Sequence, residues 1–376
     1  MVLNRLWSSA AAARNITLLR HGLRRTTTTK QVDRVRHHSS TASSISSDEI
    51  THFSSLASSW WDPLGPSRIL HLMNPLRHEF IASCIAESNP RSSPSPSSSS
   101  SSNPHNNKED NININTNTTG PLGLRYLDIG CGGGIFAESL ARTIPPASSA
   151  SQGSTNPSTT APSLSPVTNA SSILAIDPSP VMIKIATAHA RADPLVYSHL
   201  QSGRFRYENT SLEALLHNPP PSPSPSPSPS PAQSPPPQKF NIITLFEVLE
   251  HVNPQTSSPR SFLKKCLQLL QPGGWLVGST IARTIPSYII NQVIAEAPWP
   301  IGVVPRGTHE WGKFVNDGEL RGWVGEGLRE IDGVCGDGGG VRWKCVGAMY
   351  FPGLGWKKIP GTEKLGNYFW AVQRGF

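Results

Sequence analysis

An apolar run that ends in an acid and then in four glycines within five positions constrains this chain more than any other feature: Leu127-Asp128-Ile129-Gly130-Cys131-Gly132-Gly133-Gly134. Residues 124–129 read as a strand and residues 135–144 as the helix that follows it. Glycines at such a junction let the backbone approach a ligand, and their amides face it at the positive end of the helix. The pattern then repeats. Strands are expected at 173–177, 205–208, 240–246 and 275–280, with helices at 181–191 and 261–270 between them, and closing strands at 341–351 and 368–373. Alternating βα units of this kind predict a doubly wound α/β fold, a parallel sheet with helices on both faces.

Only 15% of the 376 residues are charged, against about 25% in ordinary soluble domains. Low-complexity insertions at 89–119, 145–172 and 219–238 account for much of the deficit, and their Ser/Pro/Asn composition is expected to be disordered because it cannot bury a core. The last two fall between a helix and the next strand. Ligands in open α/β sheets bind beyond the carboxyl ends of the strands, so the insertions leave that edge clear. Residues 48–376 are expected to form one domain. Residues 1–47 carry eight Arg or Lys against the single acid Asp33, hence +7 of the chain's net +8. An acid-poor, Arg- and Ser-rich leader without a long apolar centre predicts a mitochondrial transit peptide. The +1 that remains argues against a nucleic-acid partner. Five cysteines without a Cys-x-x-Cys pair indicate neither a disulfide framework nor a structural zinc site.

Asp177 follows Gly130 by 47 residues, or by 19 once the 28-residue insertion is discounted, and it stands at the end of the second strand. A carboxylate there can grip a ribose diol. The glycine spacing is Gly-x-Gly-x-Gly, however, with Asp128 ahead of it, and this disfavours a nicotinamide dinucleotide. A nucleoside ligand of another kind is implied.

These motifs, with Ile176-Asp177-Pro178-Ser179 and Leu270-Gln271-Pro272-Gly273-Gly274-Trp275, resemble those of class I S-adenosylmethionine-dependent methyltransferases. The resemblance implies a Rossmann-like sheet of seven strands. It also implies that Gly130 and Gly132 hold the methionine part of S-adenosylmethionine, with Asp128 in the same loop, that Asp177 binds the ribose hydroxyls, and that Phe246 flanks the cofactor. Four further segments are similar to the ubiquinone biosynthesis O-methyltransferase family: Trp60-Trp61-Asp62-Pro63, His71 to Arg77, Phe246 to Val252, and Val304 to Glu310. That resemblance implies methylation of phenolic hydroxyls on polyprenylated hydroxybenzoate and demethylubiquinol intermediates. It further implies other coenzyme Q enzymes as partners in a complex, and a peripheral position on the matrix side of the mitochondrial inner membrane.

Methyl transfer to oxygen requires a deprotonated nucleophile in line with the sulfonium. Glu247, Glu250 and His251 are spaced i, i+3 and i+4, which predicts one helical face carrying all three. Two carboxylates and an imidazole suit a divalent cation, which the resemblance makes Mg2+. The alternative gives Glu250 and His251 a general-base or hydrogen-bonding role. Arg77, in a helix expected to lie over the pocket, suits a carboxylate, which family precedent makes that of the cofactor; the rival readings are a hydroxybenzoate carboxylate and a surface arginine capping an aromatic helix. Residues 285–304 are strongly apolar, with Tyr288 and Trp299, and read either as a membrane-interfacial segment or as a helix packed on its own sheet. Rival functions are another small-molecule methyltransferase of the same fold and a non-catalytic assembly factor that retains it.

Overall fold

A computed structural model describes residues 43–88, 123–146, 167–217, 238–298, 302–333 and 341–375. The expected leader up to residue 42 and most of each expected insertion lie outside these residues. Its elements follow the chain as α1 (Ser47–Ser55), α2 (Arg68–Ser88), β1 (Leu124–Ile129), α3 (Ile135–Ala141), β2 (Ala170–Asp177), α4 (Pro180–Ala190), α5 (Pro194–Gln201), β3 (Phe205–Asn209), α6 (Leu212–His217), β4 (Phe240–Phe246), α7 (Pro259–Leu269), β5 (Leu270–Ile281), α8 (Ile285–Ser287), α9 (Asp317–Asp332), β6 (Arg342–Phe351), β7 (Gly355–Ile359) and β8 (Asn367–Gln373).

The strands form one sheet in the order β3-β2-β1-β4-β5-β8-β6-β7. From β3 to β5 every pairing is parallel, whereas β8 runs antiparallel between β5 and β6. Alternation along each central strand divides the core between two faces. Leu127, Ile243, Leu276 and Trp370 point to one side, where α7 and α9 supply Leu267 and Leu320. Their chain neighbours Tyr126, Ile242, Trp275 and Phe369 point to the other, where α2 and α3 supply Phe80 and Leu140. All seven residues of β8 are buried, as befits a strand covered on both faces. Helices start where side-chain caps allow: Ser179 and Ser258 each accept a bond from an amide three residues on, and each is followed by proline in the first turn.

Several expectations need correction. The sheet has eight strands, not seven, because Gly353 and Gly355, both at positive φ, turn the chain after β6 into a hairpin with β7. Strand β2 begins at Ala170, so residues 170–172 belong to the sheet and not to the insertion. Folded structure also begins before residue 48. Ser46 caps α1, the Ser44 carbonyl accepts from the Asn253 amide at 2.7 Å, and Ser44 is buried against Glu213.

Trp370 is fully buried and stacks on Trp343 with ring centroids 6.1 Å apart. Trp370→Ala should cost about 3–5 kcal/mol. The check is a lower denaturant midpoint with an unchanged slope.

Candidate active site

The strand order reverses between β1 and β4, and a cavity of about 320 Å³ opens at their carboxyl ends. Its floor is the glycine loop. Gly130 (φ +71°) and Gly132 (φ +52°) sit in the left-handed region, and a Cβ on Gly130 would lie 2.8 Å from the Val248 side chain. Only glycine fits there without strain. Across from them, Asp177 accepts from the Gly132 amide at 2.9 Å and from the Ser179 amide at 2.8 Å. Those bonds fix the carboxylate against the loop, leaving its remaining lone pairs for a diol. Burial raises the pKa of Asp177, and the two amides oppose that rise.

Two residues that line the same space each bury a polar atom without a partner. Asp128 Oδ1 accepts from Thr244 Oγ1 at 2.7 Å, but its buried Oδ2 has no partner. Burial pushes this carboxyl up to about 7, against Thr244 and Arg77. Arg77 is 3% exposed, which rules out the surface-cap reading. Its Nη1 donates to Asn74 Oδ1 at 3.1 Å, its guanidinium lies 5.0 Å from the Phe246 ring centroid, and its Nε is unpartnered. A cation and an acid left short of partners in one cavity suit the two ends of an amino-acid zwitterion, such as the methionine part of S-adenosylmethionine.

The expected helical face is not there. Glu247 leaves β4 at φ +57°, an unusual conformation for a residue with a side chain. It is held by Ser279 of β5, whose Oγ donates to Glu247 Oε1 at 2.6 Å and whose carbonyl accepts the Glu247 amide at 3.3 Å. Only a single 3-10 turn, Leu249–His251, follows. The three side chains nevertheless line one cavity. Glu250 accepts from Thr280 Oγ1 at 2.9 Å, and burial together with the charge of Glu247 raises its pKa. His251 Nδ1 lies 3.2 Å from Glu49 Oε2. Among the described residues no three His, Cys, Asp or Glu side chains converge closely enough to form a ready-made metal centre. The donor types themselves, two carboxylates and an imidazole, fit a hard divalent cation.

Sequence reasoning missed the cover of the site. Helix α1 brings Glu49 to His251 and to Lys313 Nζ at 3.0 Å, and Phe53 meets the His251 ring edge-on at 4.8 Å. The Trp-Trp segment pins this cover to the floor, because Trp61 Nε1 donates to the Gly133 carbonyl at 2.9 Å and Trp60 packs on Gly132. Also unforeseen was Glu296, which binds His309 in the Val304 to Glu310 motif. Polar pairs so far apart in the chain carry no periodic signal.

Known proteins match this chain. The methyltransferase domain family matches residues 93–326. The mitochondrial ubiquinone biosynthesis O-methyltransferase of Candida albicans is 32% identical over 349 residues, covering 90% of this chain and 88% of that protein. Its Schizosaccharomyces pombe counterpart is 30% identical over 337 residues, covering 88% and 87%. A solved Thermotoga maritima structure, a possible histamine N-methyltransferase, is 12% identical with a TM-score of 0.40, covering 87% of this chain and all of that one. The family match and the relatives' names make the chain an S-adenosylmethionine-dependent methyltransferase. Within that class the chain belongs to the ubiquinone biosynthesis O-methyltransferase family.

The cover should respond to pH. Burial works against the charge of Glu49, but its bonds to His251 and Lys313 outweigh burial and hold its pKa at about 2, below the usual 4.5. Its stabilisation is therefore complete above pH 4.5 and lost on acidification towards pH 2. Burial also opposes the charge of His251, yet Glu49 and Glu250 raise its pKa above 6.5, so its contribution is complete below pH 6.5 and fades at higher pH. The loss of thermal stability in Glu49→Gln should peak between pH 4.5 and 6.5. A loss independent of pH would show that the pair does not hold the cover.

Proposed function

We propose that the chain transfers the methyl group of S-adenosylmethionine to phenolic oxygens of polyprenylated dihydroxybenzoate and demethylubiquinol intermediates. One observation carries this reading: the cavity runs without interruption from a nucleoside grip, Asp177 and the glycine loop, past Phe246 to a cluster of acid and imidazole groups. A cofactor seated on the first presents its sulfonium methyl towards the second. Arg77 and Asp128 would hold the carboxylate and amino group of its methionine part. The Phe246 ring, buried beside Phe136 at 4.7 Å, would flank the cofactor and exclude water from the reacting atoms.

Glu247, Glu250 and His251 are the residues that would hold Mg2+, which when bound eases loss of a proton from a catechol oxygen. On this reading Glu250 and His251 are catalytic through the substrate end of the site, and Glu247, restrained by Ser279, sets the position of that end.

The segment after β5 supports a membrane-facing role. Its polar residues Ser287 and Asn291 are buried, whereas Ile285 is 72% exposed and Ile289, Val293 and Ile294 are close to half exposed. That is the reverse of a helix packed on its own sheet. A patch of this kind beside the cavity would meet a bilayer and admit a head group whose tail stays in lipid. No described helix is long and apolar enough to cross a membrane. The relatives named mitochondrial and the basic leader support a mitochondrial enzyme. We place it on the matrix side of the inner membrane, with other coenzyme Q enzymes as partners.

Incubation with labelled S-adenosylmethionine and a short-tailed dihydroxybenzoate, with magnesium present, should give a methyl ether. Label on ring carbon, or none, would sink the reading. Asp177→Ala should weaken cofactor binding about 10- to 100-fold by calorimetry, as expected for lost bonds to a charged group. Ile289, Ile290 and Val293 changed together to Ser should abolish liposome flotation while cofactor affinity is retained.

A further inference from the structure

His309 lies in the loop that follows the apolar segment, apart from the acidic triplet but on the wall of the same cavity. Its ring is oriented from behind. Nδ1 lies 3.1 Å from the Asn291 carbonyl oxygen and 3.1 Å from Glu296 Oε1. Both are acceptors, so in the neutral ring Nδ1 carries the hydrogen and the lone pair is left on Nε2. Among the described residues nothing bonds Nε2.

The orienting groups are themselves fixed. The amides of Gly307 and His309 donate to the two oxygens of Glu296, each at 2.7 Å, so the carboxylate cannot swing aside. Asn291 sits in a π-helical turn, Tyr288–Ile294, and its own side-chain amide donates to the Ser287 carbonyl at 3.2 Å. Wide turns of this type free main-chain groups for other partners, and they recur at functional sites. Phe314 closes the ring's flank edge-on, with centroids 6.1 Å apart. An imidazole with one nitrogen tied to a buried carboxylate and the other turned to a cavity is the arrangement by which enzymes accept a proton and then stabilise the imidazolium.

We infer that His309 Nε2 is the base that takes the phenolic proton of the substrate, with Glu296 and the Asn291 carbonyl as its positioning groups. The inference rests on the O-methylation proposed above. The substrate O–H bond breaks and its proton passes to Nε2, giving an imidazolium beside the Glu296 carboxylate. The phenolate electron pair forms the O–CH3 bond while the C–S bond breaks, and that bond's electron pair stays on sulfur as neutral S-adenosylhomocysteine. The proton then leaves His309 for water. The charged groups facing the ring are Glu296 on its own side of the cavity, and Glu247 and His251 from beyond β4. Burial is the strongest influence on the ring and lowers its pKa against the two carboxylates, which keeps it an unprotonated base at neutral pH.

The test uses the full-length chain and two acceptors: a short-tailed dihydroxybenzoate, and a nitrated analogue whose hydroxyl is already ionised at the assay pH. His309→Asn retains an N–H towards Glu296 and removes the base, while Glu296→Gln leaves the base in place but deprives its imidazolium of a counter-charge. On the ordinary acceptor His309→Asn should lower kcat about 100- to 1,000-fold, and Glu296→Gln by a smaller factor. On the nitrated acceptor both variants should stay within about tenfold of the parent, with S-adenosylmethionine affinity unchanged by calorimetry. Equal losses on both acceptors would show that the ring only supports the cavity, and no loss on either would show that another group takes the proton; each overturns the inference. A parent enzyme that binds the cofactor but methylates neither acceptor would instead overturn the O-methylation reading, and the inference with it.

Discussion

One main-chain amide carries much of this architecture: that of Gly132, which donates to the Asp177 carboxylate across the ends of two parallel strands. Parallel strands bring their carboxyl ends to one edge, and there the first two loops must avoid collision while facing a shared ligand. Positive φ at Gly130 and Gly132 folds the first loop back, and the carboxylate at the end of β2 secures it. Trp60 and Trp61 then close over that loop, so a cover drawn from residues far earlier in the chain is seated on the glycines.

The far wall depends on a second restraint. Glu247 holds a left-handed backbone at the end of β4 that costs of order 1 kcal/mol or more, and it persists because Ser279 of the neighbouring strand binds both its amide and its carboxylate. Strain of this kind is kept where surrounding structure imposes it, and here it turns an acid into the cavity in place of extending a helix. The glycine loop with Asp177 and the acid cluster are thus set by neighbouring strands of one sheet, with Phe246 in the same cavity wall.

The strands, and the meeting of the glycine loop with Asp177, were legible because they depend on local pattern. Buried parallel strands such as Phe240–Phe246 are continuous apolar runs, and Asp177 is marked by its distance from the glycine loop once the insertion is discounted. The spacing of Glu247, Glu250 and His251 predicts one helical face, whereas the three line one cavity by way of a positive φ at Glu247, about which periodicity carries no information. Helix α1 was hidden because it begins where a basic leader was expected to end, and its partners His251 and Lys313 lie more than 200 residues away. His309 stood in a recognised segment, but its role depends on Glu296 and on a main-chain carbonyl, which sequence spacing cannot display.

The central claim is geometric: cofactor sulfur and acceptor oxygen meet between the glycine loop and the wall formed by Glu247 and His309. A crystal structure with S-adenosylhomocysteine and a catechol bound tests it most directly. The account predicts ribose hydroxyls on Asp177, and sulfur directed past Phe246 with the phenolic oxygen within about 4 Å of the methyl position. Sulfur directed away from that wall, or a catechol lodged elsewhere, would contradict it.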